Sequence, residues 1–200
     1  MKCTLVLSLA KDVKNLDGDL IGVDRGAYIL ALNHKKMVLA IGDFDSVDEN
    51  EYQQIFDYSD TITKLNPVKD DTDTLAAIKT VIAQGYDEIL IYGGLTKRLD
   101  HTYANILLLQ QFKEITCLQD EQTLVKILKK GRHIITKRYQ YISFFAINDS
   151  LLSLTNLKYN LKEYQLSRLS TLGISNEFTA LNPVVDITAG EVMMILTNEK

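Results

Sequence analysis

A change of rhythm part-way along the chain limits its fold more than any other feature. In the first part, short apolar runs alternate with stretches of helical spacing. CTLVLSL from Cys3 to Leu9, LIGV before Asp24, MVLAI before Gly42, TITKL, DEILIYGG from Asp87 to Gly94 and EITCLQD read as strands. In DTDTLAAIKTVIAQG, Leu75, Ile78 and Ile82 recur at helical spacing between an acid-rich start and Gly85. Leu99, Tyr103 and Ile106 do the same in RLDHTYANILLLQQF. Strands alternating with helices predict an α/β fold: a mostly parallel sheet with helices on both faces.

After Gln122 the helical spacing stops. QTLVKIL, HIITK, YISFFAI, SLLSLT, VVDIT and EVMMILT are short runs rich in Ile, Val, Thr, Phe and Tyr, with turn residues at KKGR, NDS and TAG. That pattern predicts an all-β sandwich or barrel, with Lys129, Lys130 and Arg132 on a solvated hairpin turn. The expected division is residues 1–122 and 123–200.

Composition excludes several classes. The chain has 200 residues, 46% apolar and 24% charged, with a net charge of -4, so no overall field draws it to nucleic acid. Cys3 and Cys117 lie in strand-like runs and read as reduced core residues, as in a cytoplasmic protein. His34, His101 and His133 are too scattered for a zinc site. The opening MKCTLVLSLAKD turns polar too soon for a secretory signal, and no apolar run spans a bilayer.

The acids are placed less evenly than the charge total suggests. Asp43 and Asp45 flank Phe44, and Asp70, Asp71 and Asp73 crowd into KDDTDT. At ~5 Å and an effective dielectric of ~20, each such pair repels by roughly 3 kcal/mol. An Asp at a strand end or helix start is often only a cap. In a parallel sheet, however, ligands bind beyond the carboxyl ends of the strands. Asp24, Gly42 to Ser46, the Asp70–Asp73 stretch, Gly93 and Gly94, and then Arg98, Asp100 and His101 follow successive strands. They are expected on one rim, where carboxylates suit a hard cation such as Mg2+ bound together with substrate phosphates.

Phosphate binding has no standard loop here. Neither Gly-x-x-x-x-Gly-Lys-[Ser/Thr] nor Gly-x-Gly-x-x-Gly occurs. Gly93–Gly94, the helix start after it, Arg98, Lys64 and Lys69 are the candidates.

Taken together, GVDRGA, IGDFDSV, KDDTDTLAAI, GGLTKRLDHTYANI and GISNEF occur in order along nearly the whole chain. In these motifs the chain resembles the thiamine pyrophosphokinase (thiamin diphosphokinase) family of the bacterial type. The resemblance implies a Rossmann-like catalytic domain, a β-sandwich domain that binds thiamine, and a cytoplasmic homodimer. It implies transfer of the pyrophosphoryl group of ATP to the hydroxyethyl group of thiamine, giving thiamine diphosphate and AMP. It implies that Asp43, Asp45 and Asp73 hold Mg2+ and, with Asp100, are catalytic. It places Lys69, Asp70, Thr72, Arg98 and His101 at ATP, and Asp24, Asn105, Ser175 and Asn176 at thiamine. Asp100 is the expected proton acceptor. The chain departs from the family pattern at Arg25, where many relatives have Gly, and at Thr96 and Lys97, where many carry glycines. It also has no Trp to stack on thiamine.

Two other readings remain open at this point. Asp43-x-Asp45 after an apolar strand also suits a haloacid dehalogenase-type phosphohydrolase with Asp43 as nucleophile, although Ser46–Val47 stands where that family has Gly-Thr. A non-catalytic nucleotide or metal sensor would use the same rim without turnover.

Overall fold

The computed structural model describes residues 1–66, 71–95 and 98–199. Lys69 and Asp70, and the divergent Thr96 and Lys97, lie outside the described residues. The chain forms two compact units, Met1–Glu121 and Gln122–Lys200.

In the first unit the elements are β1 (Lys2–Val6), β2 (Asp19–Val23), α1 (Arg25–Leu32), β3 (Met37–Gly42), α2 (Glu49–Tyr58), β4 (Ser59–Lys64), α3 (Asp73–Ala83), β5 (Glu88–Tyr92), α4 (Leu99–Gln111) and β6 (Ile115–Gln119). The strands pair in the order β6-β5-β1-β2-β3-β4, and every pairing is parallel. Helices α1 and α2 pack together and share a core with Val6, Ala40 and Tyr92. Leu5, Leu39, Ile41 and Ile91, neighbours of those residues on the same strands, point the opposite way and are also buried. Both faces of the sheet are therefore covered, as the unbroken apolar runs predict.

The strand order reverses between β1 and β5. Beyond β1 the chain steps one way through β2, β3 and β4, and beyond β5 it steps the other way to β6. Such a reversal leaves a crevice at the carboxyl ends of the two central strands.

The second unit is a sandwich of two antiparallel sheets. Its strands are β7 (Thr123–Leu128), β8 (Gly131–Ile134), β9 (Tyr141–Ala146), β10 (Ser150–Thr155), β11 (Leu161–Leu166), β12 (Asn176–Glu177), β13 (Val184–Ala189) and β14 (Val192–Thr197). One sheet runs β12-β9-β14-β7 and the other β11-β10-β13-β8. Alternate residues of each meet in one core: Ile142, Phe144, Met194 and Leu196 from the first, Leu152, Leu154, Val185 and Ile187 from the second. Burying each such side chain contributes about 1.5–3 kcal/mol before chain entropy is counted.

Several elements differ from the sequence expectation, each for a local reason. The first strand stops at Val6, not Leu9, because Leu7 N donates to Tyr92 O at 2.8 Å and the chain then turns, Ala10 N bonding Leu7 O at 3.1 Å. Helix α1 was not anticipated, because RGAYILAL has no polar face to reveal a helical period. Helix α2 buries only Ile55, but its start carries a legible capping box: Glu51 N donates to Asp48 Oδ1 at 2.9 Å and Asp48 N to Glu51 Oε2 at 3.1 Å. The KKGR stretch is no hairpin turn, since β7 and β8 lie in different sheets and it carries the chain across. Strand β11 was missed because LKEYQL buries only Leu166.

Removing the α2 cap tests this account of its start. Asp48→Ala should lower the unfolding free energy by about 1 kcal/mol, measured by urea denaturation. No change would mean that the box does not hold the helix.

Candidate active site

The crevice at the strand reversal opens into a cleft of about 320 Å³ within the first unit. Its floor comes from the ends of β1 and β5, at Leu7, Ser8 and Gly93. Gly93 adopts φ 77°, and a Cβ there would collide with Ala10 N, so only glycine lets the chain turn this tightly beside the cleft. Asp24, Thr72, Asp73, His101 and Asn105 also line it.

The aspartates divide into those that serve the fold and those that do not. Asp48 caps α2. Asp71 Oδ2 accepts from Lys79 Nζ at 2.5 Å. Thr72 is the N-cap of α3, its Oγ1 accepting from Leu75 N at 3.2 Å, so Asp73, the first residue of that helix, is not needed as its cap. Asp24 stands at the N-cap of α1 yet makes no side-chain cap bond.

Asp24 is the most unusual group in the site. Its backbone sits at φ 49°, a left-handed conformation that costs a non-glycine residue about 1 kcal/mol or more. Its Oδ1 is buried and has no hydrogen-bond partner among the described residues. A Cβ on Gly42 would strike that same oxygen, so the glycine leaves the room that Oδ1 occupies. Burial pushes the Asp24 carboxyl up to about 7. The charges on Asp73 and Asp43 push in the same direction, as does a hydrogen bond shared with Asp73, while the Phe44 amide offsets part of the rise. Two carboxyl groups that share a hydrogen bond need a proton between them, or a cation.

Asp43 is held differently. Its Oδ1 accepts from Asp45 N at 3.1 Å, closing a tight turn over Phe44 at φ 58°. Phe44 is buried edge-on against Tyr52, with ring centroids 5.6 Å apart. The aromatic ring thus anchors a turn that carries two acids.

The remaining expected residues fall at various places. Asp45 is exposed. Asp100 is turned onto Arg98, Arg98 Nη2 donating to its Oδ2 at 2.6 Å, at the exposed start of α4. That bond holds the Asp100 carboxyl below the usual range and makes it a weaker base. His101 is exposed and lines the cleft. Asn105 is buried and braces the Gly93–Gly94 turn, its Nδ2 donating to Gly94 O at 2.8 Å. In the second unit Ser175 is exposed at φ 54°. Asn176 is buried there, with Nδ2 donating to Tyr159 O at 2.8 Å and Oδ1 accepting from Tyr159 N at 3.0 Å. Ser46, expected on the rim, lines the cleft, and so do Ser8 and Thr74, which the sequence pattern does not single out. Ser8 was hidden because the strand was read through to Leu9.

The donor set fits a hard divalent cation. The Asp24 carboxyl, with one buried unpartnered oxygen and two acids, Asp73 and Asp43, within electrostatic reach, is the kind of group that such an ion would satisfy. Among the described residues no group of three or more acidic, imidazole or thiol side chains is arranged to hold a metal ion by itself. Asp24, Asp43 and Asp73 would therefore supply only part of the shell of a small hard cation, with water and phosphate oxygens completing it.

In the metal-free protein the raised Asp24 carboxyl sets a sign for stability against pH. The folded state holds this proton from the ordinary value of 3.8 up to about 7, so its contribution is full below 3.8 and is lost as pH rises through about 7. Asp24→Asn should therefore melt above the unsubstituted chain at pH 8 in the presence of EDTA, and the gap should close at pH 4. Parallel melting curves across that range would contradict the burial of this charge.

Comparison with known proteins identifies the family and the fold. Residues 14–118 match the model for the thiamin pyrophosphokinase catalytic domain, and residues 132–193 that for the thiamin pyrophosphokinase vitamin B1 binding domain. The thiamine pyrophosphokinase of Bacillus subtilis is 31% identical over 186 residues, 90% of this chain and 87% of that one. Its crystal structure superposes with a TM-score of 0.88 at 28% identity over the whole of both chains. A family member from Enterococcus faecalis gives 0.87 at 25% identity, again over both chains in full. These matches do not favour the phosphohydrolase or the sensor. The chain belongs to the thiamin pyrophosphokinase family, enzymes that transfer a pyrophosphoryl group from ATP to thiamine.

Proposed function

We propose that the cleft of the first unit binds ATP with Mg2+, and that Asp24, Asp43 and Asp73 hold the ion. The observation that carries this reading is the Asp24 carboxyl, with one oxygen buried and unpartnered, interacting with the carboxyls of Asp73 and Asp43. Asp24 is thereby moved from the thiamine contacts to the cation. When bound, Mg2+ would neutralise charge on the phosphate oxygens during transfer. Asp45, which bonds Asp43 through its backbone, completes the turn.

The protein's own groups do the rest by position. The start of α3, at Thr72 and Asp73, presents helix N–H groups to phosphate oxygens. Arg98, oriented by Asp100, offers a planar donor to the same anions at the start of α4, beside His101. The alcohol oxygen of thiamine attacks the β-phosphorus, the bond from that phosphorus to the oxygen bridging the α-phosphate breaks, and AMP leaves with that oxygen. Attack of this kind needs positioning and charge neutralisation more than a covalent intermediate. Asp100 is proposed to align Arg98 through their ion pair and to take the proton that the attacking alcohol releases. Lys69 and Asp70, on sequence grounds alone, are proposed to join the ATP contacts.

Thiamine contacts are proposed at Ser175 of the second unit, whose hydroxyl-bearing residue is exposed in a left-handed turn. Asn176 supports that turn by its two bonds to Tyr159, and Asn105 supports the first unit's glycine turn. We propose a homodimer, consistent with exposed Leu169, Leu172 and Ile174 just before Ser175. A cytoplasmic setting is proposed from Cys3, a buried strand thiol that burial pushes up to about 12. Among the described residues no helix is long and apolar enough to cross a membrane.

Incubation with ATP, Mg2+ and thiamine should yield AMP and thiamine diphosphate in equal amounts, resolved by anion-exchange chromatography. Asp73→Asn or Asp43→Asn should cut the rate by about two to three orders of magnitude with the fold intact by circular dichroism. Near-normal turnover in either variant would remove that residue from the cation site.

A further inference from the structure

We propose that Arg25 is a positioning residue that latches together the two segments carrying Asp24 and Asp43. The inference rests on the reading of Asp24, Asp43 and Asp73 as the cation's holders. Arg25 directly follows Asp24 in sequence, and its side chain reaches across to the other segment. Nη1 donates to the Ser46 carbonyl at 2.7 Å and to Glu51 Oε2 at 3.2 Å, and Nη2 donates to Glu51 Oε1 at 3.0 Å. The Tyr28 ring lies 5.4 Å from the guanidinium carbon.

The partners matter as much as the bonds. Ser46 ends the turn that begins at Asp43. Glu51 is the residue that completes the α2 capping box with Asp48. One guanidinium therefore ties the start of α1, the acidic turn and the start of α2. The Glu51 side chain is 17% exposed and the Arg25 side chain 42%, so the pair is half-buried, and its two-pronged geometry sets it apart from a single-point surface contact.

The latch answers a physical need of the site. Asp24, Asp43 and Asp73 carry like charges, and before a cation arrives they push their segments apart. Asp24 and Phe44 also hold left-handed backbone conformations that would relax if released. A bidentate bridge between the two segments, made by an arginine that itself helps to line the cleft, resists both. A glycine at position 25 would have no side chain with which to do this. Lysine supplies one donor point and loses the fork.

The test is Mn2+ binding to the full chain without nucleotide, followed by loss of the free-Mn2+ electron paramagnetic resonance signal, with melting temperature measured alongside. Arg25→Ala should weaken half-saturation about tenfold, the scale of removing an outer partner that orients a metal ligand. Glu51→Gln should weaken it in the same direction, and Arg25→Lys should recover part of the loss. Asp48→Ala, which weakens the α2 start but leaves the Arg25 fork in place, should bind Mn2+ as the unsubstituted chain does. Unchanged binding in Arg25→Ala overturns the latch, and so does an equal loss in Asp48→Ala, which would reduce it to helix stability. If Arg25→Ala does not fold, Glu51→Gln decides by the same criterion. Asp73→Asn run in parallel separates the two levels of the argument. If it too leaves binding unchanged, or if the unsubstituted chain shows no saturable binding, the carboxylate reading falls and takes the latch with it.

Discussion

A carboxylate with one oxygen buried and unpartnered is the constraint around which the acidic cleft of the first unit is arranged. Asp24 Oδ1 is shut away from water beside Gly42, and the group shares a hydrogen bond with Asp73 and feels the charges of Asp73 and Asp43, a placement that raises the cost of its own charge. Nothing in the packing of the sheet or of α1 requires it, since Asp24 does not cap the helix it precedes. The surrounding structure instead accommodates it: Gly42 leaves space, Phe44 turns the chain tightly with its ring buried, and Arg25 holds the flanking segments by its fork to Glu51. A stability cost confined to one cleft is the mark of a site built for a ligand of opposite charge.

The topology determines where that cost falls. With all strands parallel, every carboxyl end faces the same rim, and the reversal between β1 and β5 opens the rim into a cleft. The start of α3 then brings backbone N–H groups to the place where the acids gather. A divalent cation and a chain of phosphates are complementary to such a mixture of carboxylates and helix starts, whereas either alone would leave one set unsatisfied. The family to which the chain belongs transfers pyrophosphate from a nucleotide, and the charge pattern of the cleft suits that chemistry.

Much of this is legible in the sequence, and the illegible parts share a cause. Apolar runs that end in Asp or Gly mark the parallel strands because both sheet faces are buried. Short runs rich in Ile, Val, Phe and Tyr between turn residues, such as YISFFAI and EVMMILT, mark the strands of the sandwich. Helix α1 and strand β11 escape notice for opposite reasons, the first because its exposed side carries apolar Leu32 where a polar residue would show the period, the second because it is hardly buried at all. The site residues follow the same logic. Asp43 and Asp73 are visible as acids at strand and helix ends, but whether an acid caps, pairs or stays unsatisfied depends on neighbours distant in sequence. Asp71 finds Lys79, Asp100 finds Arg98, and Asp24 finds Asp73. Spacing alone ranks these residues alike, and the three-dimensional pairing separates them.

The central claim concerns the location of one ion, so its most direct test is crystallographic. Crystals grown with Mn2+ and a non-hydrolysable ATP analogue should show an anomalous difference peak bounded by the carboxylates of Asp24, Asp43 and Asp73, with analogue phosphate oxygens completing the shell. A peak elsewhere on the chain, or nucleotide bound with those three carboxylates turned away from any metal, would contradict the account.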